Sequence, residues 1–380
     1  MRSAAEVATA IDLLGDGVEQ MGFSVQVLKT LRAIKNCRTA TLGGHVDACT
    51  SCGTLHISYN SCRNRHCPKC QGHKRTEWIA KRETELLPTT YFHVVFTLPS
   101  ELNILAMHEP KLVYDNLFES AWQTLQKFFA THHLQGGMIC ILHTWGQNLS
   151  LHPHLHCIVP GGGVNAKGDF EKVNTSDRFL FSVKGMSKVF RAKYIANLRK
   201  RGIKDAKLIE PLFQKNWVVY AKRPFGKPSD VVEYLGRYTH KVAIGNGRIN
   251  EVNNQGVRFD YKDYKSDGVK KEMHLSLQEF VRRFAQHILP HRFVRIRHYG
   301  FLSSTWKRKK LKDLQAKLCI FIPTQILETK LHKCPHCKTG TMVTLEIFGK
   351  RGPPSRYLLL NRTLGDAIKN DPAYGELASL

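Results

Sequence analysis

Apolar and polar residues alternate along the chain at two spacings, which predict short helices and short strands in turn. Apolar residues three and four positions apart predict helices over residues 24–34, 73–87, 111–131 and 230–245, and a basic helix from 306. The helix over 230–245 also has a capping pair at its start, Asp230 and Glu233. Runs of β-branched and aromatic residues predict strands over 91–99, 138–145, 151–159, 247–252 and 256–263. Strands interrupted by helices, without a repeating strand–helix–strand unit, indicate the α+β class with an antiparallel sheet.

Length and residue distribution divide the chain into three parts. With 380 residues, 42% of them hydrophobic, the chain is long enough for two or three packed domains, and wholesale disorder is excluded. Six of the eleven cysteines lie between Cys37 and Cys70, and the chain becomes strongly basic from Trp306. We predict a helical, cysteine-rich module over 1–88, a mixed domain over 89–305 and a basic C-terminal extension with a CxxC element over 306–380.

The charge balance indicates a polyanionic partner. Lysine and arginine number 57 against 31 acidic residues, a net charge of +26, and chains this basic usually bind nucleic acid. No apolar run is long enough to cross a membrane, and the N-terminus does not resemble a secretory signal, so we expect a cytoplasmic, nucleoid-associated protein. In a reducing compartment, clustered cysteines bind metal more often than they form disulfides.

Two CxxC pairs predict a structural zinc site in the N-terminal module. The expected ligands are Cys49, Cys52, Cys67 and Cys70, which can surround one zinc ion tetrahedrally; a redox-active pair is the weaker interpretation. A second site could be formed by Cys37, His45, Cys62 and His66, unless these are buried thiols and surface histidines. Four thiolates leave no open coordination position on the zinc ion, so the module is expected to bind DNA rather than to catalyse a reaction. The expected DNA contacts are Arg63, Arg65, Lys69, Lys74 and Arg75.

The C-terminal pair Cys334 and Cys337 supplies only half of a zinc site. The site could be completed by His332, His336, Cys319 or a second chain. Two free thiols in a solvated turn are an equal alternative.

Histidines in the middle of the chain predict a second, catalytic kind of metal site. His154 and His156 share one face of a strand because side chains alternate with a period of two. The preceding strand forms a hairpin with this one, and on a regular strand His143 and Gln147 would both face the pair. The alternative is a pair of histidines satisfied by ordinary core or solvent contacts.

A two-tyrosine pattern supplies a candidate nucleophile. Tyr234 and Tyr238 are four residues apart, hence on one face of the predicted helix, and Lys241 falls on the same face. A nearby ammonium favours the phenolate and can hold a phosphate oxygen, and activated tyrosines form covalent intermediates. Paired tyrosines at this spacing are otherwise half-buried packing residues.

Three segments resemble one family in the family's own order. The run from Cys37 to Leu98, with ISYNSCRNRHCPKCQ and YFHVVFTLP, resembles the zinc-binding region of rolling-circle insertion-sequence transposases. HPHLHCIVPGGG resembles their HUH motif, two histidines flanking a hydrophobic residue, and YLGRYTH resembles their two-tyrosine motif. The resemblance implies a palm-like antiparallel-sheet HUH nuclease domain preceded by a small zinc-binding domain.

The resemblance also implies an activity. Tyr234 or Tyr238 would attack single-stranded or hairpin DNA at element ends and in the target, leaving a 5′-phosphotyrosine link that is later rejoined, with Arg237 as a further DNA contact. Mg²⁺ or Mn²⁺ would be held by His154, His156 and a third ligand, for which His143, Gln147 and His240 stay open. Whether the chain acts as a homo-oligomer also stays open.

Two other classes of function fit part of the pattern. A zinc-dependent DNA-binding regulator would keep the cysteines and the basic surface, with the histidines and tyrosines as packing residues. A zinc hydrolase would use His154 and His156 with water as the nucleophile, but it needs a general-base carboxylate, and none follows His154 before Asp169.

Overall fold

The computed structural model describes residues 5–70, 72–174, 179–222, 230, 236, 238–239, 241–320 and 332–357, with the backbone alone at 72–77, 222 and 265. None of the helices it describes is long and apolar enough to cross a membrane. The fold mixes α-helices with antiparallel sheets, which confirms the predicted α+β class.

A five-stranded antiparallel sheet forms the centre of the chain. Its strands are β3 (Tyr91–Thr97), β4 (Gly137–Trp145), β5 (Leu151–Pro160), β8 (Val219–Lys222) and β12 (Ile296–Gly300). They lie in the order β12-β4-β5-β3-β8, so β5 is in the middle with β4 and β3 on either side. The predicted hairpin of β4 and β5 is confirmed.

The alternation of side chains along these strands gives the sheet two different faces. On β5, Leu155, Cys157 and Val159 belong to the main apolar core, together with the matching positions of β3 and β4. The opposite positions of β5 carry His154 and His156. One face of the sheet therefore packs into the main core. The other face carries the histidines and, further along the same strands, a separate apolar cluster that includes Ile139, Ile141 and Ile158.

Helices cover the apolar face of the sheet. They are α4 (Asn103–His108), α5 (Pro110–Ala130), α6 (Val183–Lys200) and α7 (Ala206–Gln214). α5 and α6 are linked by a buried polar chain, in which Asn197 donates to the hydroxyl of Ser120 and Ser120 donates to the side-chain oxygen of Asn116, both over 3.0 Å. Paired polar groups of this kind are tolerated in a core and fix the relative position of the two helices.

A second core joins the N-terminus to a distant part of the chain. Its elements are α1 (Val7–Leu14), α2 (Val25–Lys35), β9 (Ile249–Asn253), β10 (Gly256–Asp263), β11 (Val269–Leu275) and α8 (Leu277–Ala285). The strands form a sheet in the order β11-β10-β9. α2 matches the predicted helix because Ser24 caps it, accepting a hydrogen bond from the Val27 amide over 3.4 Å.

A third sheet brings the two ends of the chain together. It consists of β1 (Gly44–Cys49), β2 (Leu55–Tyr59) and β13 (Met342–Phe348), in the order β13-β1-β2. β13 pairs with β1 along its whole length, from Gly44 opposite Phe348 to Cys49 opposite Met342. The segment after residue 306 therefore returns to the N-terminal module and completes its sheet.

The remaining elements are short. They are α3 (Gly72–Glu83), the β6–β7 hairpin (Gly162–Val164 and Phe170–Lys172), a basic helical segment (Ser304–Trp306, a π turn over Lys307–Leu311, and Lys312–Lys317) and 3₁₀ turns at Gly15–Met21, Ala40–Leu42, Ser100–Leu102, Asn246–Arg248 and Tyr264–Ser266. α3 ends at Glu83 rather than Leu87, since the Leu87 amide donates to the Tyr91 hydroxyl over 2.8 Å instead of continuing the helix.

Seven of the sixteen residues of the predicted helix over 230–245 lie outside the described residues. Asp230, Gly236, Tyr238 and Thr239 are helical, but residues 241–245 are not. The prediction that this helix continues to Gly245 was wrong, because the chain turns there into the strand β9.

Candidate functional site

Three histidines meet on the face of the central sheet that points away from the main core. His143 of β4 lies directly opposite His154 of β5, and His156 is the next residue on the same face. Each of the three offers a ring nitrogen, and these atoms all lie within 4.8 Å of one another. The period of two along β5 and the pairing of the two strands are sufficient to produce this cluster.

Hydrogen bonds orient two of the rings and leave a nitrogen of each available. His154 donates from Nδ1 to the carbonyl of His152 over 2.6 Å, which leaves Nε2 with its lone pair. His143 donates from Nε2 to the carbonyl of Tyr238 over 2.8 Å, which leaves Nδ1. Metal-binding histidines are normally held in this way by a partner on the other nitrogen.

His156 is oriented by a fourth imidazole, that of His93, which sequence reasoning missed. Nδ1 of His156 lies 2.9 Å from Nε2 of His93, and the two rings are stacked with centroids 5.1 Å apart. His93 is buried on β3, the neighbouring strand. In the sequence, His93 is a single histidine within the otherwise apolar strand β3, and this is the signal that could have pointed to it.

Burial keeps the three histidines neutral. Desolvation lowers the pKa of His154 to about 4, and it places the pKa values of His143 and His156 well below their usual range. The neighbouring imidazoles add to the effect, because a proton on one ring disfavours a proton on the next. Neutral imidazole is the form that binds metal, so the donor set is ready for a cation at neutral pH.

One tyrosine of the two-tyrosine pattern lies against this cluster. The centroid of the Tyr238 ring is 4.2 Å from that of His156 and 5.7 Å from that of His143. The Lys241 ammonium is 5.5 Å from the centroid of the Tyr238 ring, and burial lowers the pKa of Lys241 below its usual value. Tyr234, Arg237 and His240 lie outside the described residues.

A buried arginine fixes the segment that carries Tyr238. The Arg295 guanidinium donates to the carbonyls of Thr239 and, over 3.1 Å, of Lys241. Arg295 in turn accepts a hydrogen bond at its own carbonyl from the Leu142 amide on β4 over 3.0 Å. Sequence reasoning missed this residue, because one arginine in so basic a chain carries no distinguishing signal.

Gln147 lies beyond the strand on which it was expected. β4 ends at Trp145, with an irregular register between His143 and Trp145, and Gln147 is in the turn before β5. There its carbonyl accepts a hydrogen bond from Arg248. The argument from strand parity fails at Gln147 for this reason, and His143 is the partner-strand residue that joins the histidine pair.

The cysteines form two clusters, and neither is the set expected from the sequence. One cluster contains Cys37, Cys62, Cys67 and Cys70, and the other contains Cys49, Cys52, Cys334 and Cys337. The expected single site of Cys49, Cys52, Cys67 and Cys70 was wrong, because β1 carries the first pair toward β13 and away from the second pair. The C-terminal pair is not completed by His332, His336 or Cys319.

His45 and His66 belong to neither cysteine cluster. His45 lies 3.2 Å from a carboxylate oxygen of Asp47. His66 is buried and accepts a hydrogen bond at Nε2 from the Leu289 amide over 3.3 Å, and burial lowers its pKa to about 3. The expectation that they complete a site with Cys37 and Cys62 was wrong, since Cys67 and Cys70 occupy those places.

The predicted DNA-binding cations of the N-terminal module have different environments. Arg63 is exposed, but Arg65 is half-buried and donates to the carbonyls of Pro290 and Phe293. Lys69 is only 12% exposed and lies 2.5 Å from the carboxylate of Glu6. Arg65 and Lys69 are therefore engaged within the protein, and the side chains of Lys74 and Arg75 lie outside the described residues.

Two family models match the chain. The "Transposase zinc-binding domain" matches residues 14–98, and the family described as "Putative transposase" matches residues 137–310, which include the histidine cluster and Tyr238. The "Putative transposase y4qJ" of Sinorhizobium fredii is 39% identical over 93% of this chain and 98% of that protein.

The chain belongs to the IS91-type family of rolling-circle transposases. A second relative, the "Transposase for insertion sequence element IS801" of Pseudomonas savastanoi pv. phaseolicola, is 28% identical over 76% of this chain and 73% of that protein. No solved structure matches the chain. The matched zinc-binding domain and the cysteine clusters support structural zinc in this transposase.

Proposed function

We propose that this transposase cuts one strand of DNA at the ends of its element by attack of a tyrosine phenol on a backbone phosphate. The observation that carries the proposal is the position of the Tyr238 ring, 4.2 Å from His156 in a cluster of three neutral imidazoles. A phenol beside a cation-binding group is the arrangement that nucleophilic attack on a phosphate requires.

The proposed reaction conserves the phosphodiester bond energy. The phenolic oxygen forms a bond to phosphorus, the bond from phosphorus to the 3′ oxygen breaks, and the 3′ oxygen takes up a proton as it leaves. The product is a 5′-phosphotyrosyl link and a free 3′-hydroxyl. Attack by another 3′-hydroxyl reverses the step and rejoins DNA, so no nucleotide cofactor is needed, in line with the lack of a GxxxxGK[ST] motif in the chain.

His143, His154 and His156 fit a divalent cation. Two of the rings have one nitrogen engaged with a backbone carbonyl and His156 has one engaged with His93, which leaves the other nitrogen of each for a ligand bond. A bound Mn²⁺ or Mg²⁺ would polarise a phosphate oxygen and offset the negative charge that develops there. Nitrogen donors suit Mn²⁺ better than Mg²⁺, which prefers oxygen, so we expect Mn²⁺ to support cleavage at the lower concentration.

Lys241 is proposed to assist Tyr238 and the phosphate. Its ammonium lies 5.5 Å from the centroid of the Tyr238 ring, close enough to stabilise the phenolate. Tyr234 is proposed as the second nucleophile, which would receive another strand while the first tyrosine is occupied.

Single-stranded or hairpin DNA is the proposed substrate. The net charge of +26 favours binding to the phosphate backbone, and we expect the affinity to fall steeply with salt. Among the predicted DNA-binding cations of the N-terminal module whose side chains the structure describes, Arg63 is the exposed one.

A labelled-strand assay tests the proposal. The full-length protein is incubated with Mn²⁺ and single-stranded DNA from an element end, then denatured and separated by electrophoresis. A covalent adduct that retains a 3′-terminal label, with a shortened free fragment that retains a 5′-terminal label, supports the proposal. Free nicked DNA would indicate a hydrolase, and intact DNA would indicate a regulator; either result contradicts tyrosine attack.

A matched pair of variants locates the nucleophile. Tyr238→Phe removes only the hydroxyl beside the imidazoles, whereas Tyr220→Phe makes the same change on an exposed residue of β8. We expect the first variant, or its combination with Tyr234→Phe, to abolish the adduct and the second to leave it intact. An adduct that persists in the double variant refutes the assignment.

A further inference from the structure

Two cysteines of the matched zinc-binding segment meet two cysteines from the other end of the chain. The Sγ atoms of Cys49 and Cys337 are 3.6 Å apart, and those of Cys52 and Cys334 are 3.7 Å apart, although 282 positions separate the second pair in the sequence. The matched domain ends at residue 98, so Cys334 and Cys337 lie beyond it.

The distances between these sulfurs fit one tetrahedral zinc ion. Zinc–thiolate bonds of about 2.3 Å at tetrahedral angles place the sulfurs about 3.8 Å apart. A disulfide would instead require about 2.05 Å. The observed separations of 3.6 and 3.7 Å therefore match a shared ion and exclude a bond between the sulfurs.

The two CxxC turns have the same backbone conformation. The residue after the second cysteine is left-handed in both, Gly53 with φ of 68° and Lys338 with φ of 60°. Its amide donates to the carbonyl of the first cysteine over 3.1 Å in both turns. A residue such as lysine adopts this conformation only at some cost, so its presence in the second turn indicates a shape that the site requires.

The two turns also interlock through their backbones. The Thr50 amide donates to the carbonyl of Thr341 over 3.0 Å, and the Thr341 amide donates to the Thr50 hydroxyl over 3.1 Å. The approach is so close that a Cβ on Gly340 would lie 2.3 Å from Sγ of Cys49. The pairing of β13 with β1 starts directly from this point.

We propose that Cys49, Cys52, Cys334 and Cys337 bind a second structural zinc ion, which fastens the C-terminal segment to the N-terminal module. The ion closes a loop of the chain that contains the whole five-stranded central sheet. It also holds β13 in place as the third strand of the sheet formed with β1 and β2. It is separate from the cluster of Cys37, Cys62, Cys67 and Cys70.

The two clusters differ in how well they are shielded. Each cluster has two buried cysteines. Of the other two, Cys62 and Cys70 are both half-buried in the first cluster, whereas in the second Cys337 is half-buried and Cys52 is exposed. A chelator reaches an exposed ligand more readily, so the zinc that joins the two ends is released first.

Metal counting on the full-length protein tests the proposal. We expect two zinc ions per chain by native mass spectrometry, one in the Cys334→Ser/Cys337→Ser variant, and two in the control Cys319→Ser, which changes an exposed cysteine of neither cluster. One zinc in the unaltered protein, or two in the double variant, would overturn the assignment.

Hydrogen exchange on the same proteins tests whether the ion holds the C-terminal segment on the N-terminal module. In the double variant the amides of β13 should exchange at least about tenfold faster, while those of β4 in the central sheet stay protected. Unchanged protection of β13 would show that the strand pairing alone holds the C-terminal segment and would contradict the proposed role of the ion.

Discussion

Replacement of His93 by phenylalanine separates the positioning of a ligand from the ligand itself. His93 is 3% exposed, and its Nε2 is 2.9 Å from Nδ1 of His156. Phenylalanine keeps an aromatic ring of somewhat larger volume at this position but offers no hydrogen bond. The His156 ring is then free to rotate, and its nitrogen no longer has a fixed direction.

The expected loss follows from the role of such partners. Removal of a group that orients a metal ligand typically weakens metal binding by about 10–100-fold, which corresponds to about 1.4–2.7 kcal/mol. Since the metal can still bind at higher concentration, the rate of adduct formation at saturating Mn²⁺ should change much less than the concentration needed for half-saturation.

The assay is adduct formation as a function of Mn²⁺ concentration. His93→Phe should raise the half-saturating concentration by about 10–100-fold, and His93→Gln, which keeps a hydrogen-bonding group, should restore part of the loss. His108→Phe, an equivalent change on an exposed residue of α4, should have no effect. An unchanged half-saturating concentration in His93→Phe would refute the positioning role.

Four further substitutions have definite expected outcomes. Arg65→Met should lower the free energy of unfolding by about 2 kcal/mol in chemical denaturation, because two partly buried carbonyls lose their donor. Arg63→Met should leave stability unchanged and weaken DNA binding in a filter assay. Lys241→Met should slow adduct formation on the order of a hundredfold at equal DNA affinity, and a normal rate would remove Lys241 from the mechanism. Gly340→Ala should reduce the zinc content from two ions to one, because the added methyl group meets Sγ of Cys49; full zinc content would contradict the interlocked turns.

Local periodicity was sufficient to predict the elements that build the site. The strands β3, β4 and β5 and the helix α5 begin and end within about two residues of the prediction, because each is a long run with a single period. The same period placed His154 and His156 on one face, and the short hairpin placed His143 opposite them. These are relations between residues that are close in sequence.

Relations between distant residues could not be predicted in this way. The spacing of the two CxxC pairs is compatible with a shared ion, and nothing in that spacing shows that β1 and β13 pair and bring Cys334 to Cys52. The roles of His93 and Arg295 likewise depend on which strands become neighbours. The prediction that Gln147 faces the histidine pair failed for a local reason. The irregular register after His143 breaks the alternation of side chains on which that prediction rested.

Peptide mapping of the denatured protein–DNA adduct tests the central claim most directly. After protease and nuclease digestion, tandem mass spectrometry identifies the residue that carries the nucleotide. The account predicts a phosphodiester on the phenol of Tyr238 or Tyr234, and on no other residue. A nucleotide attached to a serine, a histidine or a tyrosine elsewhere in the chain would contradict it.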